Sequence, residues 1–237
     1  MLVALLAVSL ATSACAPTTP AARRTRVAAA TATPAPYLHC CPIQRRAYAH
    51  LAALGNSITN GDGLNPGEKT FVFLLSGQLG SLTVFSQGLS GKQTAAADAW
   101  LLASGGLPTS GDLDIIESGT NDDYLGTDPT IHPTPLATFG AQYLKLLSDM
   151  EARVPAPVEI CVGIWGSESQ LNSLGLGAAD YDRVIQQECQ QQATNVHITT
   201  EFVSIEALYE NPALHNGFHP NEAGQQAIAS AIKAVLP

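Results

Sequence analysis

Short apolar runs alternate with longer segments of helical period through most of the chain. Because a parallel sheet is covered on both faces, its strands read as apolar runs, and helical segments between them indicate crossover connections. Five strands are predicted, at Ala47–Leu54, Leu82–Ser86, Leu113–Glu117, Val158–Ile164 and Val196–Thr200. The pattern therefore predicts a small, doubly wound α/β domain.

Two helices stand out between and after these strands. Apolar residues recur at steps of three and four from Leu136 to Met150, and Pro155 ends that helix. The last segment follows Pro220, which suits a first helical turn. Its apolar stripe consists of Ala227, Ile228, Ala231, Ile232 and Val235. We expect this C-terminal helix to pack on the sheet.

The N-terminus has the composition of an export signal and a tether. The apolar run Leu2–Leu10 is too short to span a bilayer, so residues 1–14 are predicted to be a signal peptide. Small residues before Cys15 allow either simple cleavage, giving a secreted protein, or lipidation of Cys15, giving an envelope-anchored lipoprotein. Residues 15–44 have few large apolar side chains and form a predicted linker, and 45–237 form the catalytic domain.

Four further cysteines, an even number, suit disulfides in an exported protein. Three pairings are possible, and adjacent cysteines rarely pair with each other, so if bridges form we expect at least one to link the N-terminal segment to the domain. The spacing does not match a zinc site, and no metal is expected. These cysteines are Cys40, Cys41, Cys161 and Cys189.

Composition narrows the choice of partners. The 237 residues carry a formal net charge of −9, which leaves no basic surface for a phosphate backbone. Nucleic acid is therefore excluded as a partner, and a neutral or cationic substrate is expected. We expect one domain and a monomer.

A serine stands where the first strand ends, in Leu54–Gly61, which reads Leu-Gly-Asn-Ser-Ile-Thr-Asn-Gly. In parallel α/β sheets, active sites lie at the carboxyl ends of the strands. The hydroxyl of Ser57 needs a base before it can act as a nucleophile. His219, in Asn216–Asn221 directly before the last helix, is the candidate.

Two further polar blocks follow the second and third predicted strands. They are Gln87–Thr94, which contains Gly91, and Glu117–Asp122, which contains Asn121. A glycine N–H and an asparagine amide can donate to a developing oxyanion. The four blocks together favour acyl-transfer chemistry, whereas each alone would be an ordinary turn.

The ordered blocks Gly-Asn-Ser, Ser-Gly…Thr, Gly-Thr-Asn-Asp and His-Pro-Asn resemble the SGNH hydrolase superfamily, the GDSL-like esterases and lipases. The resemblance covers about residues 47–235. It implies a flavodoxin-like three-layer α/β/α fold with a five-stranded parallel sheet. It also implies Ser57 as nucleophile, His219 as base, and the Ser57 N–H, Gly91 and Asn121 as oxyanion donors.

Two positions depart from the family pattern. Asn56 stands where the family often has Asp. Asn216 stands where an Asp usually orients the histidine, and an amide lacks the charge that stabilises an imidazolium. Either Asn216 orients His219 as a neutral partner, or a backbone carbonyl or another carboxylate does so, or the enzyme is weak or inactive. The carboxylates considered from outside the block around His219 are Asp180, Asp182 and Glu168.

The resulting hypothesis is a serine ester hydrolase that needs no cofactor and acts on a small-molecule, lipid or acylated-carbohydrate ester. Because His219 must be neutral to act as a base, we expect activity to fall at acidic pH. Two alternatives stay open: a non-catalytic carbohydrate-binding or interaction module, and an acyltransferase that uses the same residues.

Overall fold

The computed structural model describes residues 47–80, 82–104, 108, 110–126, 128 and 130–237. These residues fall within one compact unit, Arg45–Pro237. The predicted signal peptide and linker, together with Cys15, Cys40 and Cys41, lie outside the described residues.

The centre of the domain is a five-stranded parallel sheet with strand order β2-β1-β3-β4-β5. The first strand along the chain takes an inner position in the sheet, and the later strands are added on both sides of it, as in a doubly wound fold. The strands are β1 (His50–Gly55), β2 (Thr83–Gly88), β3 (Leu113–Glu117), β4 (Val158–Val162) and β5 (Thr199–Val203).

Eight helices and a short hairpin complete the described part of the domain. The helices are α1 (Ser57–Asn60), α2 (Phe71–Gln78), α3 (Thr94–Ala103), α4 (Thr120–Asp123), α5 (Leu136–Arg153), α6 (Ala178–Val196), α7 (Glu206–Tyr209) and α8 (Glu222–Val235). The hairpin strands are β6 (His215–Asn216) and β7 (His219–Pro220), preceded by a 3-10 turn at Pro212–Leu214. Within the described residues, no helix combines the length and apolar character needed to cross a bilayer.

Alternation along the strands divides the core into two halves. Leu51 and Ala53 of β1 belong to the cluster that contains buried residues of α2 and α8. Ala52 and Leu54 belong to the cluster under α3, α5 and α6. Successive side chains of a strand point to opposite faces, so the sheet is covered on both sides. The predicted flavodoxin-like three-layer α/β/α fold with five parallel strands is confirmed.

Several predicted boundaries differ from the structure: β1 begins at His50 rather than Ala47, β4 ends at Val162 rather than Ile164, and two further differences concern β5 and α8. Val196 is the last residue of α6, so β5 begins at Thr199, three residues later than predicted. The prediction placed this β-branched residue in the sheet, but Val196 instead completes the last turn of an amphipathic helix. In α8, Pro220 precedes the N-cap rather than occupying the first turn. The N-cap is Asn221, whose side chain accepts a hydrogen bond from the Gly224 N–H.

The expected bridge from the N-terminal segment to the domain also needs correction. Cys161 of β4 and Cys189 of α6 form a disulfide with each other. The crossover helix returns against its own strand, which brings together two cysteines that are 28 residues apart. Neither of them is then left to pair with Cys40 or Cys41.

Candidate active site

The serine predicted as nucleophile begins a one-turn helix directly after β1. Asn56 caps this helix, and its side-chain oxygen accepts a hydrogen bond from the Ile58 N–H at 2.9 Å. Gly61 ends the helix in the left-handed conformation. Ser57 is therefore held at the carboxyl edge of the sheet, between the neighbouring strands β1 and β3, whose following connections run to opposite sides of the sheet.

The fold brings His219 to this serine from 162 residues away. His219 Nε2 lies 3.0 Å from Ser57 Oγ, within hydrogen-bond distance. Burial lowers the pKa of His219 below its usual 6.5, while the nearby charge of Asp62 acts in the opposite direction. The lowered pKa favours the neutral ring, which can accept the hydroxyl proton.

The hairpin that carries His219 is fixed from several sides. Trp165, which is fully buried, donates its indole N–H to the Phe218 carbonyl at 2.7 Å. Asn221 ties the hairpin to the 3-10 turn by donating to the carbonyl of Leu214 at 3.0 Å. The His215 ring stacks on Tyr209, with ring centroids 5.2 Å apart. His215 therefore packs against the protein.

Asn216 pairs with His219 in the hairpin ladder, but its side chain points elsewhere. The amide donates to the Gly63 carbonyl at 3.4 Å, and the hydrogen bonds of the described residues include none from Asn216 to the His219 ring. This geometry differs from the first of the three arrangements considered from the sequence, in which Asn216 orients His219.

The three carboxylates from other segments that were considered for orienting His219 lie away from its ring. Asp182 accepts from the Ile164 N–H at 2.6 Å and the Ser204 hydroxyl at 2.9 Å. Asp180 accepts from Arg183 at 3.2 Å, and Glu168 is exposed. None of these three lines the cavity around Ser57.

The two predicted oxyanion donors line the same 410 Å³ cavity as Ser57 and His219. Asn121 uses one amide hydrogen to reach the Lys92 carbonyl at 3.0 Å, and an amide has two hydrogens to donate. Gly91 has a φ of +69°, a conformation that suits glycine. The structure thus places Ser57, Gly91, Asn121 and His219, which were nominated from four separate blocks of the sequence, around one cavity.

Glu117 accepts hydrogen bonds from the residues on either side of Ser57 and so supports the turn that carries the serine. It was not nominated from the sequence. It is 1% exposed, and its carboxylate accepts from the Asn56 amide at 2.8 Å and the Thr59 hydroxyl at 2.9 Å. The backbone N–H groups of both residues donate to it as well, each at 3.3 Å. Its position as the last residue of β3, next to Gly55 in the register, was the available signal.

Asp122 and Asp123 fix the turn after β3 through their hydrogen bonds. Asp122 accepts from the Thr94 backbone and hydroxyl and from the Thr134 hydroxyl, all within 2.9 Å. Asp123 accepts from Asn172 at 2.9 Å. In the part of the chain that the structure describes, no group of three or more His, Cys, Asp or Glu residues is placed to hold a metal ion.

A second cavity, of 270 Å³, adjoins the first, and Tyr124 lines both. Tyr124 has a φ of +26°, outside the usual range for a residue with a side chain, and its hydroxyl accepts from the Asp128 N–H at 2.7 Å. Backbone strain of this kind concentrates at functional sites. His132, an exposed loop residue, lines the second cavity only.

The sheet order and the Ser57–His219 pair define a three-layer α/β protein of the SGNH class. The family model described as "GDSL-like Lipase/Acylhydrolase family" matches residues 53–227. The chain belongs to this family and is a hydrolase that acts on esters.

Solved structures with the same fold include carbohydrate esterases. An acetylxylan esterase from Geobacillus stearothermophilus, Axe2, is 20% identical with a TM-score of 0.60, covering 78% of this chain and 93% of that one. A carbohydrate esterase family 2 enzyme with a carbohydrate-binding domain, from Corynascus thermopiles (Myceliophthora fergusii), is 20% identical with a TM-score of 0.63. That alignment covers 79% of this chain and 65% of the other. No curated protein matches the chain.

Proposed function

We propose that the protein is a serine ester hydrolase that acts through an acyl-enzyme on Ser57. The observation that carries the proposal is the 3.0 Å contact between His219 Nε2 and Ser57 Oγ, in a cavity that Gly91 and Asn121 also line. A nucleophile and base within hydrogen-bond reach, beside oxyanion donors, form the arrangement that acyl transfer requires.

In the first half of the reaction, Ser57 Oγ forms a bond to the ester carbonyl carbon as its proton passes to His219 Nε2. The carbonyl π electrons move to the oxygen, which accepts from the N–H groups of Ser57 and Gly91 and from the Asn121 amide. When this tetrahedral species collapses, the carbon–alkoxide bond breaks. The leaving alcohol takes the proton from His219, and the acyl group stays on Ser57.

Water completes the cycle by the same route in reverse. His219 accepts a proton from the attacking water, and the new tetrahedral species expels Ser57 Oγ, which recovers that proton from the imidazolium. The products are a carboxylic acid and regenerated enzyme. The scheme needs no electron donor, acceptor or cofactor.

We propose an acylated carbohydrate as the substrate class. Two findings support this choice: the similar folds include an acetylxylan esterase and a carbohydrate esterase, and the net charge of −9 disfavours anionic substrates. The second cavity offers room beside the ester for a bulky alcohol. Its polar lining residues include Asp128, His132 and Asn172, which suits hydroxyl groups.

We further propose that the enzyme works outside the cytoplasm, either secreted or held at the cell envelope through Cys15, and as a monomer. The disulfide between Cys161 and Cys189 supports an oxidising compartment. The apolar run Leu2–Leu10 supports export.

The test combines active-site labelling with a substrate screen. We expect a fluorophosphonate probe to label the protein at Ser57, and the parent to hydrolyse acetylated xylo-oligosaccharides and short-chain aryl esters. Ser57→Ala should lose labelling and at least about 1,000-fold in turnover. The matched control Ser230→Ala removes an exposed hydroxyl on α8 and should behave as the parent. A folded parent that neither labels nor hydrolyses any ester would instead favour a binding module.

A further inference from the structure

The following inference rests on the proposed function. It concerns the charged group that stabilises His219 when the ring is protonated. In the proposed mechanism His219 becomes an imidazolium, and a nearby negative charge stabilises that state. The residue that usually supplies this charge in the family is replaced by Asn216, whose amide donates to Gly63 instead. Any carboxylate that stabilises the His219 imidazolium therefore lies in another part of the fold.

Asp62 lies five residues after the serine and lines the same cavity as Ser57 and His219. Its backbone N–H donates to the Ser57 carbonyl at 2.9 Å. Its carboxylate oxygen Oδ1 accepts from the Asn60 amide at 2.7 Å, and that amide also donates to the Ser90 hydroxyl at 3.0 Å. Asp62 is thus held in place through both its backbone and its side chain.

The segment that carries Asp62 packs directly against the histidine. A Cβ placed on Gly63 would lie 2.7 Å from His219 Cβ, and Gly63 has a φ of +89°. Only glycine allows this approach, because any side chain would collide with His219. The Asn216 amide then fastens the Gly63 carbonyl to the hairpin. Asn216 therefore holds the Asp62 segment against the element that carries His219.

The other charged or titratable groups near His219 are bonded to other partners or exposed to solvent. The His215 Nδ1 atom contacts the Gly217 carbonyl at 2.6 Å, and its ring stacks on Tyr209. Glu210 of the loop after α7 accepts from the Ser167 hydroxyl at 2.6 Å. Glu222, in the first turn of α8, and Glu168 are exposed. Asp62 is the group whose charge acts on the His219 ring.

We propose that Asp62 is the positioning residue that supplies the negative charge for the His219 imidazolium, in place of the carboxylate missing at Asn216. Asp62 acts through the histidine and does not touch the reacting atoms.

The proposal predicts a change in the basicity of His219. Asp62→Asn keeps the shape and the oxygen that accepts from Asn60, but it removes the charge. The pKa of His219 should then fall by about half a unit to one unit, because a charge that favours the imidazolium is gone. The acid limb of kcat/KM should move to lower pH by the same amount, while kcat on the plateau drops about threefold to tenfold.

Two measurements test the proposal: the pKa of His219 and the pH profile of ester hydrolysis. The pKa of His219 is followed by NMR titration in the Ser57→Ala background, with and without Asp62→Asn, so that this readout does not depend on turnover. The pH profile of ester hydrolysis is recorded for the parent and for Asp62→Asn. Asp62→Ser, which removes the same charge with a different shape, should shift both readouts in the same direction.

The matched control is Glu222→Gln, which removes one exposed carboxylate three residues after His219 and should leave both readouts unchanged. An unmoved His219 pKa in Asp62→Asn, in a parent that labels and hydrolyses esters, overturns the inference alone. An equal shift in Glu222→Gln also overturns it, since net charge would then be the cause. A parent without labelling and turnover overturns the proposed function, and the inference with it.

Discussion

Asn56 and Glu117 show why an asparagine beside the serine suits this chain. Burial raises the pKa of Glu117 to about 7, and its four hydrogen bonds act in the opposite direction. The Asn56 amide is one of these donors, at 2.8 Å. An Asp at that position would bring a second carboxyl group to the same buried site, where two like charges repel each other. Asn56, although it departs from the family pattern, is therefore suited to its buried neighbour Glu117, because its amide donates a hydrogen bond where an Asp would add a like charge.

Glu117→Ala should destabilise the domain and disturb the serine turn. The change leaves the Asn56 amide and the Thr59 hydroxyl buried without their acceptor, and each such loss costs about 1–3 kcal/mol. We expect the free energy of unfolding in urea to fall by about 3 kcal/mol and turnover to fall by more than tenfold. Glu222→Ala, at an exposed position on α8, serves as the control. A loss below about 0.5 kcal/mol would contradict a supporting role for Glu117.

The β6–β7 hairpin is the element that decides where the base lies. A two-residue turn at Gly217 and Phe218 joins its strands, and each strand has only two residues. A ladder this short is not stable alone, so its position depends on contacts from other elements. The indole of Trp165, from the loop after β4, makes one of these by donating to the Phe218 carbonyl.

Trp165→Phe keeps an aromatic ring but removes that donor. We expect kcat/KM to fall about tenfold, because His219 loses a support one residue away, and the unfolding free energy to fall by about 1–3 kcal/mol. Trp100→Phe provides the matched control, because Trp100 lies on α3 outside the catalytic cavity. Ester kinetics and urea unfolding measure both variants. Equal kinetic losses in the two would show that the indole of Trp165 has no special part in placing the hairpin.

Across the whole molecule, buried carboxyl groups link stability to pH. Asp114 of β3 and Glu159 of β4 are neighbours in the sheet register, and each is 1% exposed. Burial raises the pKa of Asp114 to about 9, helped by the charges of Glu159 and Glu151, and raises that of Glu159 to about 8. Both groups are therefore protonated in the folded protein at neutral pH.

The sign of the pH dependence follows from these raised values. The unfolded chain releases both protons near its ordinary pKa values of 3.8 and 4.5. The contribution of the pair to stability is therefore complete below about pH 4 and is lost as pH rises through about 8 to 9. Glu117 and Asp182 also have raised pKa values and act in the same direction.

We therefore expect the double variant Asp114→Asn, Glu159→Gln to be more stable than the parent at pH 9, by about 2–4 kcal/mol. The same pair of changes should have a small effect at pH 4, where the parent carboxyls are already neutral. Urea unfolding followed by circular dichroism from pH 4 to 9 measures the difference. Parallel stability curves for the parent and the double variant would contradict the assignment, and Glu222→Gln controls for lost charge.

Much of the fold could be predicted from the sequence because strands that are covered on both faces leave continuous apolar runs. Leu113–Glu117 was predicted with its observed bounds. The beginning of β5 was misplaced because Val196 suits a strand as well as the last turn of α6. Local composition does not distinguish a strand from the end of a helix at this position, because contacts with the rest of the sheet decide between the two.

Within the candidate site, the residues in ordered blocks could be nominated in advance, and their partners could not. Ser57, Gly91, Asn121 and His219 each stand at a recognisable place after a strand or before the last helix. The buried acceptor Glu117 and the charge of Asp62 depend on which side chains face each other in space. Asn216 was nominated from its spacing to His219, yet its amide is directed to Gly63.

By itself, the sequence determined the alternation of strands and helices, the carboxyl-edge position of the polar blocks, and the family to which they belong. These features are local, because each depends on residues within one strand, helix or turn. The tertiary structure alone decided that His219 reaches Ser57 across 162 residues, that Cys161 pairs with Cys189, and that the Asn216 amide is directed to Gly63. Distances between segments far apart in the chain are set by how the two core layers pack, and short-range patterns carry no measure of them.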